Sequence, residues 1–115
     1  MRESAEAARE PVGSLAQRWH DLHDKAARIA DLGGLAREDD SAALDGFATR
    51  LGKASGWQRD LAWQGIEDID ALLRPGLAAL GTLVDRGQDA TAPAQALWRE
   101  FHAARDAVLA TMPPE

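Results

Sequence analysis

Apolar residues recur along this chain at helical spacing, and nowhere do they alternate as a half-buried strand requires. Between residues 14 and 34 they fall at Leu15, Trp19, Leu22, Ala26 and Ile29, separated by four, three, four and three positions, which puts all five on one side of an α-helix. Ser14 suits the N-cap of that helix, and Gly33 and Gly34 suit the left-handed backbone that closes one. A shorter stripe, Leu44, Phe47, Ala48 and Leu51, follows the acidic cluster Glu38, Asp39 and Asp40, whose charges favour a helix N-terminus. Gly46 and Gly52 weaken this second element, and Gly56 marks a break after it.

Ser55 and Gln58, three apart, form the pattern of a capping box for a third helix. Its apolar positions are Ala62, Ile66, Ile69, Leu73, Leu77, Leu80 and Val84, and the stripe keeps its phase through Pro75. A proline inside a helix removes one backbone hydrogen bond and disfavours helical geometry at the residue before it, here Arg74. A true turn would not preserve the phase on both sides, so the expected element is one long helix kinked at Pro75, ended by Gly87. Asp89, Thr91 and Pro93 then read as a cap with proline in the first turn, and Leu97, Trp98, Phe101, Ala104, Val108 and Leu109 give the last helix a broad apolar face that Pro113 and Pro114 terminate. Short connections favour antiparallel neighbours. The expectation is an all-α, antiparallel four-helix bundle with a short second helix. Residues 1–11 carry no stripe and are expected to form a flexible N-terminal arm, 12–112 a single bundle domain, and 113–115 a tail.

Composition supports this picture and narrows the chemistry. Isoleucine and valine are scarce and tyrosine is absent among the 115 residues, so strand-forming residues never cluster. The absence of cysteine excludes disulfides, iron–sulfur clusters, thiolate zinc sites and cysteine nucleophiles. The apolar runs fall far short of the roughly 20 residues that cross a bilayer, and MRESAEAARE has no apolar signal core. These features point to a cytoplasmic protein of bacterial type with no membrane partner. A formal net charge of −6 opposes a phosphate backbone, so direct nucleic-acid binding is not expected, whereas a basic protein surface would be attracted.

Candidate chemistry is thin. His20, His23, Asp24 and His102 are the metal candidates, with His23 on the flank of the first stripe and His20 and Asp24 towards solvent. Metal sites in bundles gather three or four inward ligands, commonly through Glu-x-x-His pairs, and no such pair is present, so neither a metal nor a cofactor is expected. His20-x-Leu22 resembles the His-x-Leu start of histidine phosphotransfer domains, which are helical bundles of this size. That resemblance implies a phosphorylatable His20, but those domains continue with lysine and glycine where this chain has His23 and Asp24, and Asp21 and Asp24 would repel a phosphate. Glu67, Asp68 and Asp70 lie opposite the stripe of Ile66, Ile69 and Leu73 and read as a solvated acidic face rather than an enclosed acid–base pair. No serine or threonine has a histidine beside it in sequence, and no glycine-rich phosphate loop follows a strand. An enzyme is not expected.

The four tryptophans carry the remaining signal. Trp19 and Trp98 lie on or beside stripes and read as core. Trp57 and Trp63, with Leu61 between them and Gly65 allowing close approach, read as either an interface patch or a cap on the bundle's own end. The expected function is therefore a non-catalytic, acidic helical interaction module, a self-associating scaffold or accessory protein, with Trp57, Leu61, Trp63, Glu67, Asp68 and Asp70 as interface residues. The alternative is an acidic inhibitor of the immunity-protein, antitoxin or phage counter-defence kind that blocks a basic surface of an enzyme.

Overall fold

A computed structural model of the chain describes residues 12–36 and 41–114, with side chains described over 14–36 and 46–114. The expected arm, 1–11, and the acidic cluster Glu38, Asp39 and Asp40 lie outside the described residues. Four helices follow one another: α1 Val12–Leu32, α2 Ser41–Lys53, α3 Gly56–Asp85 and α4 Thr91–Ala110. No strand occurs among the described residues. α1 touches the other three helices, α3 and α4 touch each other as well, and α2 packs mainly on α1. The result is an all-α four-helix bundle whose second helix is the minor member.

The direction of each helix follows from the side chains that bridge them. Gln58, in the first turn of α3, donates to the carbonyl of Thr111 just past α4, and Gln95, early in α4, donates to the carbonyl of Gly33 at the end of α1. α4 is therefore antiparallel to both α1 and α3. Two glycines of α3 fix the α3–α4 seam: a Cβ on Gly65 would collide with the Val108 side chain, and one on Gly76 with that of Leu97. These pairs are eleven positions apart on both helices, about three turns, so each glycine presents the same face of α3 to the matching face of α4.

The core is built from the stripes. Leu15, Trp19, Leu22, Ala26 and Ile29 of α1 are buried, as are Ala62, Ile66, Ile69, Leu73 and Leu80 of α3 and Leu97, Phe101 and Val108 of α4. α2 contributes Phe47 and Leu51, and the Phe47 ring stacks on Trp19 with centroids 4.3 Å apart and planes 3° from parallel. At 13 residues α2 is at the length where an isolated helix is marginal, roughly 12–15 residues, so this stack and the burial of Leu51 hold it in place.

The helix ends use the expected devices and some unexpected ones. Gln58 Oε1 accepts from the Ser55 backbone N–H at 2.9 Å, one arm of the capping box, and Asp89 Oδ1 accepts from the Thr91 N–H at 2.9 Å ahead of α4. α1 closes through Gly34 at φ 67°, with the Leu35 N–H returning to the carbonyl of Ala30, and α3 closes in the same manner at Gly87, φ 71°. Gly33 does not share the left-handed role. It is buried against Gln95 of α4, which a side chain at 33 would push away.

α3 runs through Pro75 as one helix, as the unbroken stripe predicts. Pro75 and Ala71, whose carbonyl loses its partner, both face solvent, where that loss costs least. Ala48 is exposed rather than part of the α2 stripe, Leu77 is half-buried, and Val84 is 48 % exposed. Length explains Val84. α3 has 30 residues against 20 in α4, and about 1.5 Å per residue makes an overhang of roughly 15 Å shared between its ends. The exposed large apolar residues among those described, Trp57, Leu61 and Val84, all belong to α3.

Candidate functional site

His20 and Asp24 are exposed on α1, while His23, expected on the flank, is only 5 % exposed. Packing of α4 over α1 is the cause: the Phe101 ring meets the imidazole edge-on with centroids 5.3 Å apart, and Trp19 lies against it at 4.9 Å. His23 Nδ1 donates to the carbonyl of Trp19 one turn earlier, at 2.8 Å. His102 is half-buried on α4, its ring 4.2 Å from that of Trp98 and its Nδ1 accepting from the Arg105 guanidinium at 3.2 Å. His23 and His102 both meet the Phe101 ring, and no three metal-ligating side chains converge among the described residues.

The acidic residues of α3 are not the common solvated face that their spacing suggested. Because α1 and α3 run side by side, Arg18 reaches Glu67 at 2.8 Å and Lys25 reaches Asp70 at 2.8 Å, while Arg74 holds the second oxygen of Asp70 from one turn away. Burial raises the pKa of Asp70, but the hydrogen bonds and charges of Lys25 and Arg74 outweigh it and leave the carboxyl below the usual aspartate value. A polar depression between α1 and α3, about 210 Å³, is lined by Arg18, Lys25, Asp70 and Arg74 with Asp21, Leu22 and Ile66. Asp68 alone of the three carboxylates is exposed, with Gln64 donating to it at 2.9 Å.

The tryptophans separate. Trp63 is half-buried against the core with its indole N–H enclosed and without an acceptor, whereas Trp57 is 62 % exposed and Leu61, one turn on, 46 %. Beside Leu61 the α3–α4 seam opens into an apolar groove of about 280 Å³. Its floor is Gly65, Val108 and Ile69, its α4 wall Ala104 and Ala107, and Asp68 lies on the α3 margin. The groove exists because the seam is built from small residues: Gly65 admits the Val108 side chain, and the alanines leave the space above it unfilled. Leu61 and Asp68 were legible as candidates in the α3 sequence. Ala104 reads in sequence only as core and Ala107 carries no signal, because alanine contributes by what it leaves empty.

Other residues that pattern reading missed are cross-helix caps. Arg50 of α2 donates to the carbonyls of Leu109 and Pro113, each at 2.8 Å, and Arg59 of α3 donates to that of Leu51 at 3.1 Å. Each places a cation against the negative end of another helix. Among the described residues no helix is long and apolar enough to cross a membrane. Comparison with known proteins finds no matching family model, no matching curated protein and no matching solved structure.

Proposed function

We propose that this protein is a helical interaction module that acts by docking and not by chemistry, and that its docking surface is the α3–α4 face around Trp57, Leu61 and the groove beside them. The observation that carries the reading is the gathering of two large exposed apolar side chains next to an open apolar groove on one helix pair. Glu67, Asp70 and His23 serve the fold through ion pairs and a helix contact. The acidic-inhibitor reading is weaker at Glu67 and Asp70, since Arg18 and Lys25 of α1 already pair with them.

The test selects binding peptides from a displayed random library against the protein, then measures each against an Ala107→Trp variant that fills the groove while keeping its circular dichroism. Loss of at least tenfold in affinity for most binders is expected. A monomer by light scattering whose selected binders ignore the filled groove would overturn the proposal.

A further inference from the structure

We infer that the groove between α3 and α4 receives a basic amphipathic helix of another protein, a deduction that rests on the docking reading above. Geometry chooses the helix. Both walls are helices, and the described residues offer no strand edge to which an extended peptide could add. A floor with Gly65 and a wall of Ala104 and Ala107 lets an incoming backbone come close, while Leu61 and Trp57 stand beside it to cover apolar side chains at helical spacing.

Charge chooses the sign. Asp68 is the one ionisable side chain that lines the groove, and on the same helical rows, one or two turns along, stand the exposed Asp60 of α3, in line with Gln64 and Asp68, and Glu100 of α4, in line with Ala104 and Ala107. Neither row holds a lysine or arginine. The guanidinium of Arg105 is turned inward beside His102, its side chain only 11 % exposed. A second copy docking through this face in a two-fold contact would set the same acidic margins against each other, within a pair whose chains each carry −6. A helix with an apolar stripe flanked by lysines or arginines meets no such repulsion.

The experiment uses two synthetic 18-residue helical peptides with the same leucine stripe, one flanked by lysines and one by glutamates, titrated into the full chain at low and high salt. The lysine peptide is expected to bind at least tenfold more tightly at low salt, with the preference shrinking as salt rises. Asp68→Lys combined with Glu100→Lys should remove or invert that preference, and Ala107→Trp should remove binding of both peptides. Equal binding of the two peptides, lost on filling the groove, would overturn the basic partner and leave the docking surface standing. A dimer by light scattering that Ala107→Trp dissociates would also overturn it, naming a second copy as occupant. Failure of both peptides with a monomeric chain would overturn the inference, and indifference of the library-selected binders to Ala107→Trp would separately remove the docking reading.

Discussion

Asp70 of α3 is shared by two cations, accepting from Lys25 of α1 and from Arg74 of its own helix. Its pKa is lowered in the folded state, so its contribution is fully present above the unfolded aspartate value and is lost as pH falls through the folded one. Asp70→Asn is expected to cost about 1 kcal/mol at neutral pH, a figure kept small by the exposure of Arg74, and to converge on the parent in acid. Urea unfolding at pH 7 and pH 3 checks both halves, and a constant difference across that range would refute the assignment. Phe47 lies at the opposite extreme, fully buried on the face of Trp19. Phe47→Ala should cost about 3–5 kcal/mol by urea unfolding. The sequence made Phe47 and Trp19 legible as core, because stripe membership and size are local signals. It could not reveal the partners of Asp70, 45 positions from Lys25, nor the burial of His23, which depends on where α4 settles.

At the scale of the element, three glycines of α3 make a controlled comparison. Alanine is the better helix former by about 1 kcal/mol, so Gly→Ala in an open helix position should stabilise. Gly81 has open space where a Cβ would go, and Gly81→Ala is expected to raise Tm. Gly65 and Gly76 face Val108 and Leu97 at clashing range, and alanine there should destabilise by about 1–3 kcal/mol despite its propensity. Thermal unfolding of the three variants decides; a rise in Tm for all three would mean that the seam is looser than described. Helix existence, order and type were readable because four stripes of period near 3.6 survive without any tertiary knowledge. The fate of their ends was not. Val84 continues the α3 stripe in sequence yet is exposed, since only the lengths of the neighbours determine where burial stops. Arg50 and Arg59 escaped for a related reason, as their acceptors belong to other helices.

For the whole molecule, polar side chains cap backbone carbonyls at one end of the bundle, while ion pairs join α1 and α3 along their length. Arg50, Arg59 and Gln58 join α2, α3 and the carbonyls at and just past the end of α4. Arg50→Met keeps the stem and removes three contacts to backbone carbonyls, and is expected to cost about 1.5–3 kcal/mol. Native-state hydrogen exchange should show the loss first in the last turn of α4 and in α2; uniform loss across all helices would instead mean that this end does not open separately. The matched eleven-residue spacing of Gly65 with Gly76 and of Val108 with Leu97 has a further geometric result. Eleven residues are close to three whole turns of a straight helix at about 3.6 per turn, so both contacts fall on the same line of each helix. The seam is pinned at two points about three turns apart, and a rigid rod laid along it would meet the same footing at each.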